Sequence, residues 1–139
     1  MIDRVTFISE YLAQQMFPLK GIGVISISSP PSTFTPDLLK PGWEHILHLK
    51  FYDIDRDQGD WKTISDEQAE ILVEWLEGLK DKINGVLAHC EAGISRSAAV
   101  AIFIRDVYQA ELKRPAPLYN RGVYTKLLET YFRVKKEGG

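Results

Sequence analysis

The sequence of 139 residues is short of cysteine, of net charge and of long apolar runs. Its one cysteine, Cys90, excludes an intrachain disulfide and is typical of a protein in a reducing compartment. A formal net charge of −2 gives the chain no general attraction to nucleic acid or anionic lipid, so any anion site must be local. No stretch approaches the roughly 20 apolar residues of a membrane helix, and the N-terminal residues lack the apolar core of a signal peptide. We therefore expect a cytoplasmic protein that binds neither nucleic acid nor membrane.

Internal repeats, low-complexity linkers and metal-binding patterns are also missing from the sequence. His45 and His48 would point to opposite faces of a strand, and no zinc spacing accompanies them. The composition, 45% hydrophobic and 26% charged, is ordinary for a globular protein of a length that favours one compact domain. We predict a single domain over residues 1–139 that uses no metal and no cofactor, with a monomer as the favoured state.

Short apolar segments alternate along the chain with segments of helical spacing. Ser65 and Gln68 form a possible capping box at the start of an amphipathic helix, and Asn120 is predicted to cap the last helix. The run from Arg96 to Leu112 predicts a helix whose apolar first half is buried. Predicted strands cover residues 4–9, 21–28, 45–51 and 84–89. This alternation predicts an α/β fold, a three-layer domain with a central, mostly parallel twisted sheet of about four to five strands flanked by helices.

The segment HCEAGISRS, residues 89–97, lies between a predicted buried strand and a predicted buried helix. A short loop that enters a helix can turn its backbone N–H groups toward one point, and the helix N-terminus adds partial positive charge. Gly93 permits a positive φ there, and Arg96 can donate two parallel hydrogen bonds to a tetrahedral oxyanion. The segment therefore predicts a phosphate cradle. The candidate phosphate-binding residues are Glu91, Ala92, Gly93, Ile94, Ser95 and Arg96.

Cys90 stands at the start of this cradle. The field that favours a bound phosphate also favours a thiolate, so the thiol should titrate below its usual value of about 8.5 and act as a nucleophile. Ser97 could hydrogen-bond the thiolate and ease its departure. We expect His89 to orient the loop by hydrogen bonding, because its side chain points to the face opposite Cys90.

The same segment resembles the H-C-x-x-G-x-x-R-S signature of the cysteine-dependent protein tyrosine phosphatases. The chain length and the run AGISRSAAV are most similar to the dual-specificity branch, including its small bacterial-type members. Asn120 to Tyr124 resembles the N-x-G-F segment that opens the last helix in that branch, with Val123 in place of Phe. Residues 113–117, KRPAP, replace a helix that the family usually has before that Asn. The resemblance covers about residues 22–134 and implies the phosphatase fold, hydrolysis through a phosphocysteine on Cys90, and a loop-supporting role for Asn120.

The resemblance also implies a general acid on a loop after an earlier strand, about 30 to 40 residues before the cysteine. In this chain that position is the segment YDIDRDQGDW, residues 52–61. Asp53 is the predicted acid and base, because one residue separates it from the predicted strand. Asp55 is the alternative, since an error in the strand end would favour it, while Asp57 and Asp60 are expected to be solvated.

The same aspartates also permit a calcium hypothesis. Asp53, Asp55 and Asp57 fit positions 1, 3 and 5 of an EF-hand loop. The required glycine would then be Gln58 and the required glutamate Ile64, and no helix is predicted before the loop. Calcium binding is therefore disfavoured.

The predicted substrate is a phosphorylated protein or a small phosphomonoester. Phosphoinositide-type relatives tend to carry basic residues inside the loop, whereas this chain has Glu91 and no lysine there. A nucleotide, an RNA 5′-phosphate or an inositide stays as an alternative substrate. Two other classes of function stay open, a phosphate-binding module without turnover and a rhodanese-like sulfur transferase, the latter disfavoured by His89 and by Arg96 with Ser97.

Overall fold

One parallel sheet organises the computed structural model, which describes residues 1–138. The five strands run in the order β3-β2-β4-β1-β5, and every pairing is parallel. The predicted α/β fold with four to five mostly parallel strands is confirmed. The strands are β1 (Arg4–Ser9), β2 (Ile22–Ser28), β3 (His45–Lys50), β4 (Gly85–Cys90) and β5 (Glu111–Leu112), and the helices are α1 (Glu10–Gln15), α2 (Asp66–Leu79), α3 (Arg96–Tyr108) and α4 (Arg121–Glu137), with a 3-10 turn at Pro36–Leu38.

The sheet is covered on both faces, which is why its central strands are apolar along their whole length. Every residue of β2 and β4 is buried. The larger core lies between the sheet and α2, α3 and α4, and the smaller one joins α1 to the segment after β2. Large side chains of the first core include Phe7, Ile25, Leu72, Phe103 and Leu127, and the second contains Ala13, Val24, Phe34 and Leu39.

Side-chain caps begin the helices α1, α2 and α4. The Ser65 hydroxyl accepts from the Gln68 N–H at 3.0 Å, and the Gln68 side chain accepts from the Ser65 N–H at 3.0 Å, so the predicted capping box is present. Ser9 caps α1 in the same way by accepting from the Leu12 N–H at 3.2 Å. These caps satisfy N–H groups that have no partner inside the helix.

The third helix ends earlier than predicted. It stops at Tyr108, and Gln109 adopts a left-handed conformation with φ of 54°. The chain then returns to the free edge of β1, where Glu111 pairs with Arg4 and Leu112 with Val5. The prediction of helix through Leu112 is wrong for residues 109–112, because the left-handed residue reverses the chain and these residues pair with a strand.

Four strand ends meet at the edge of the sheet that carries the candidate site. Because the strands are parallel, the carboxyl ends of β1, β2, β3 and β4 open on the same edge, where α/β proteins bind ligands. Ser9 pairs with Cys90 across two of these ends. Within residues 1–138, no helix is both long and apolar enough to span a bilayer.

Candidate active site

The phosphate loop, defined as residues 91–95, joins the last residue of β4 to the first residue of α3. Gly93 has φ of +69°, and a Cβ at that position would lie 2.2 Å from the backbone nitrogen of Ser9. Only glycine fits such a contact. The loop is therefore pressed against the end of β1, and its curvature depends on a residue without a side chain.

The thiol of Cys90 lies at the base of this loop and is 2% exposed. Its Sγ atom is 3.1 Å from the Ser97 hydroxyl oxygen. Burial raises the pKa of the Cys90 thiol. Four groups lower the pKa by more than burial raises it, so the pKa of Cys90 lies below its ordinary value. They are the Ser97 hydroxyl, the backbone N–H groups of Ser97 and Gly93, and the charged guanidinium of Arg96. The surroundings thus favour the thiolate, which is the nucleophilic form.

Arg96 is 4% exposed, and one edge of its guanidinium is fixed by the ends of two other strands. Its Nη1 donates to the carbonyl of Phe51 at 2.7 Å and lies 3.1 Å from the Ser29 hydroxyl. Its Nη2 is 3.9 Å from a Glu91 carboxylate oxygen, and its buried Nε has no partner within the described chain. Two nitrogens are thus left to donate to an oxyanion beside the loop.

The Asp53 carboxylate is attached directly to the phosphate loop. Its Oδ1 accepts from the Ser95 hydroxyl at 2.8 Å and from the Asn120 side-chain amide at 2.9 Å. The same amide donates to the carbonyl of Ile54 at 3.0 Å, while the Asn120 Oδ1 accepts from the Val123 N–H at 3.0 Å. One side chain therefore caps α4 and holds the segment that carries Asp53.

The other aspartates of residues 52–61 lie further from the loop chemistry. The Asp55 side chain is exposed and makes no hydrogen bond to any residue in the range 1–138, although its backbone packs closely on Gly122. A Cβ at Gly122 would lie 2.1 Å from the Asp55 carbonyl oxygen. Asp57 accepts from the Thr63 N–H at 3.0 Å, which closes the segment on itself. Among these candidates, the structure brings Asp53 into contact with the loop.

His89 is fully buried, and neither of its ring nitrogens has a hydrogen-bond partner among residues 1–138. Its ring makes an edge contact with Phe34 at 5.2 Å between centroids. Burial, followed by the nearby His48, lowers the pKa of His89 to about 4, so the ring is neutral. The predicted hydrogen bond from His89 to the loop is therefore wrong, and the ring packs on the opposite face of the sheet.

Three further groups contact the loop and were missed by sequence reasoning. Ser29 and the Phe51 carbonyl hold Arg96, and the Glu10 N–H donates to the Glu91 carbonyl at 3.3 Å. Each follows the end of a parallel strand directly. The rule that ligands gather at such ends would have suggested these positions.

Residues 1–138 contain no group of three or more His, Cys, Asp or Glu arranged to hold a metal ion. Among the predicted site residues, those that lie together are Cys90, Glu91, Ala92, Gly93, Ile94, Ser95, Arg96, Ser97, Asp53 and Asn120.

Comparison with known proteins decides the fold. Neither a protein-family model nor a curated protein sequence matches the chain. The structure is similar to that of Tk-PTP in the active form, with a TM-score of 0.50 and 20% identity over 81% of this chain and 80% of that one. It is also similar to a mouse protein assigned to the dual specificity phosphatases and complexed with zinc tungstate, with a TM-score of 0.51 and 21% identity over 85% of this chain and 74% of that one. This chain has the protein tyrosine phosphatase fold. The fold predicted from the HCEAGISRS motif is confirmed.

Residues 113–117, which the resemblance to the family predicted to replace a helix, form an irregular segment. Arg114 holds the segment to the sheet, because its Nη1 donates to the Phe7 carbonyl at 3.0 Å and its guanidinium lies over the Phe7 ring. A groove of about 470 Å³ lies beside it, lined in part by Pro115, Tyr119 and Tyr124. The segment that follows α3 therefore borders a groove on the surface of the molecule.

Proposed function

We propose that the protein is a phosphomonoester phosphatase of the protein tyrosine, dual-specificity-like type that acts through a phosphocysteine on Cys90. The observation that carries the proposal is the placement of the Cys90 thiol, whose pKa is lowered, near the buried Arg96 guanidinium at the base of a loop before a helix; the Nε of Arg96 has no partner among residues 1–138. A thiolate nucleophile and an oxyanion receptor are the two groups that transfer of a phosphoryl group to cysteine needs. The fold shared with two phosphatases supports the same class of function.

In the first step, the Cys90 thiolate attacks phosphorus, and the S–P bond forms as the bond to the leaving oxygen breaks. The backbone N–H groups of residues 91–96 and the free edge of Arg96 would hold the three equatorial oxygens. Asp53, attached to the loop through Ser95, would donate its proton to the leaving alkoxide or phenoxide. The products are the dephosphorylated alcohol and the phosphocysteine.

In the second step, water attacks the phosphocysteine and gives up a proton to the Asp53 carboxylate. The S–P bond breaks, inorganic phosphate leaves, and the electron pair returns to sulfur. The Ser97 hydroxyl, 3.1 Å from Sγ, can hydrogen-bond the departing thiolate. The protonated Asp53 then re-enters the first step.

Asp53 is proposed as the acid in preference to Asp55. The Asp53 carboxylate contacts Ser95 of the phosphate loop, whereas the Asp55 carboxylate, exposed like that of Asp53, makes no such contact in the range 1–138. The contact with Asn120 fixes the Asp53 side chain from the opposite direction. Asp53 is therefore the aspartate that a substrate held by the loop would meet.

The proposed substrate is a phosphorylated protein, with phosphotyrosine and phosphoserine or phosphothreonine both accepted, or a small phosphomonoester. We further propose one phosphatase domain over residues 1–139 that acts as a monomer in the cytoplasm. A reducing compartment would keep Cys90, the single cysteine of the chain, as a thiol.

The proposal is tested by hydrolysis of an aryl phosphate in the presence of a chelator, with vanadate as inhibitor. Cys90→Ser should abolish turnover and keep vanadate or phosphate binding. Asp53→Asn should lower kcat by about 10²-fold or more, as expected for loss of a general acid, while the matched variant Asp55→Asn should lower it only slightly.

Full turnover by Cys90→Ser would contradict the mechanism. The reverse ranking of the two aspartate variants would move the acid to Asp55. Phosphate binding by the wild type without any hydrolysis would instead identify a binding module.

A further inference from the structure

Two glutamates lie side by side where the phosphate loop meets β1. Ser9 and Cys90 are register partners at the ends of β1 and β4, and the next residues along the two chains are Glu10 and Glu91. The Glu10 N–H donates to the Glu91 carbonyl at 3.3 Å, which ties the start of α1 to the loop. Both glutamates therefore leave neighbouring strand ends at the mouth of the site.

These two carboxylates share a single nearby cation. The Glu91 side chain is half exposed, and its one ion pair within residues 1–138 is with Arg96, at 3.9 Å. Glu10 forms no ion pair in the same part of the chain, and its buried Oε1 has no hydrogen-bond partner there. Burial and then the Glu91 charge raise the pKa of Glu10, and Arg96 alone among the contributing groups lowers it. The positive charge of Arg96 is thus divided between two carboxylates.

A bound phosphoryl group would take the positive charge of Arg96 away from the two carboxylates. Its oxygens would occupy the donors of Arg96, so Glu91 would lose its cation and gain an anionic neighbour. Any further negative charge on the substrate would increase this repulsion, whereas an ammonium or guanidinium group beside the phosphate would relieve it. Through Glu10 and Glu91, the binding and hydrolysis of a substrate should therefore depend on the charges that flank its phosphorylated residue.

We propose that Glu10 and Glu91 are specificity-determining residues, and that they favour phosphopeptides with lysine or arginine beside the phosphorylated residue over substrates with additional acidic groups. The inference rests on the phosphatase function proposed above and names its substrate class. It goes beyond the phosphate loop itself, because Glu10 lies on α1, outside the loop.

The experiment uses three phosphotyrosine peptides that differ only in the flanking residues, which are arginine, glutamine or glutamate. At low ionic strength the wild type should show kcat/KM in the order arginine, glutamine, glutamate, with about 3- to 10-fold between the extremes, since partly exposed charge pairs have modest strength. Glu91→Gln and Glu10→Gln should each reduce the ratio of kcat/KM between the arginine and glutamate peptides. For the wild type, about 0.5 M salt should reduce the same ratio, because salt screens exposed charges. Glu74→Gln removes the same charge from an exposed position of α2 and should leave the ratio unchanged.

The affinity of the Cys90→Ser variant for the same three peptides, measured by fluorescence anisotropy, decides the inference without any turnover. The same order of affinity supports it. The proposal would be overturned if the three affinities were equal or if the glutamate peptide bound best. It would also be overturned if the kcat/KM values of both glutamine variants differed among the three peptides as much as those of the wild type. Absence of hydrolysis of both aryl phosphate and peptides by the wild type would instead overturn the phosphatase proposal, so the two failures are distinguishable.

Discussion

Acid should destabilise this protein through the protonation of His89. The ring is fully buried, and burial, then His48, lower its pKa from 6.5 to about 4. Between these values the unfolded chain carries the proton and the folded chain does not, so the free energy of unfolding falls as the pH falls. Well inside this window each pH unit costs about 1.4 kcal/mol, and the complete shift costs about 3.4 kcal/mol, spread from roughly one pH unit above 6.5 to one pH unit below 4. That is a large share of the roughly 5 to 15 kcal/mol typical of a domain.

The effect is measured by urea unfolding of the wild type and His89→Gln at pH 7.5, 6.5, 5.5 and 4.5. Glutamine does not titrate, so from pH 6.5 to 4.5 the wild type should lose about 2 kcal/mol more than the variant. His48→Gln is the matched control. Burial and then Lys50 lower the pKa of His48, so its removal should change the slope in the same direction, but less because His48 is only half-buried. Equal slopes for the wild type and His89→Gln, or an NMR titration of His89 near 6.5, would refute the reasoning.

Three substitutions test the site itself. Gly93→Ala places a methyl group 2.2 Å from a backbone nitrogen at a φ of +69°, so the melting temperature and turnover should both fall, and a variant with wild-type values for both would contradict the close packing. Ser97→Ala removes a hydrogen bond to the thiolate, so the pH profile of Cys90 alkylation by iodoacetamide should move to higher pH; an unmoved profile would show that the hydroxyl does not lower the pKa. Asn120→Ala removes the helix cap, so the free energy of unfolding in urea should fall by about 1 kcal/mol. The same substitution releases Asp53 and should lower kcat. A variant with unchanged kcat would show that the acid needs no such support.

The phosphate loop could be predicted because its constraints are local. A buried strand, a glycine and a buried helix within a few residues determine where the N–H groups point, and Cys90 and Arg96 take their positions from that geometry. The caps at Ser65 and Asn120 are local in the same sense, since each bonds the N–H three residues on.

The partners of that loop depend on contacts that are distant in sequence. Arg96 is held by Ser29 and Phe51, whose positions follow from the order of the strands and not from any nearby pattern. The strand β5 has two residues, too few for a periodic signal, and exists because the edge of β1 offers it hydrogen bonds. The sequence likewise does not reveal that Phe34, from a separate segment, packs against His89, whose ring nitrogens have no hydrogen-bond partner among residues 1–138.

The position of β1 inside the sheet has a consequence for how the chain is made. Its first residue, Arg4, pairs with Gly85 on one side and Glu111 on the other, so the first strand of this sheet to be synthesised is completed by the last one. Until residue 112 has emerged, β1 lacks its full set of neighbours, and the apolar side chains Val5 and Phe7 must wait for a covering that arrives some hundred residues later. Chains dominated by such long-range pairings fold slowly compared with helical bundles of similar length. Chaperone binding during synthesis should therefore include the first strand and should end only once α4 has followed β5, because α4 completes the same core.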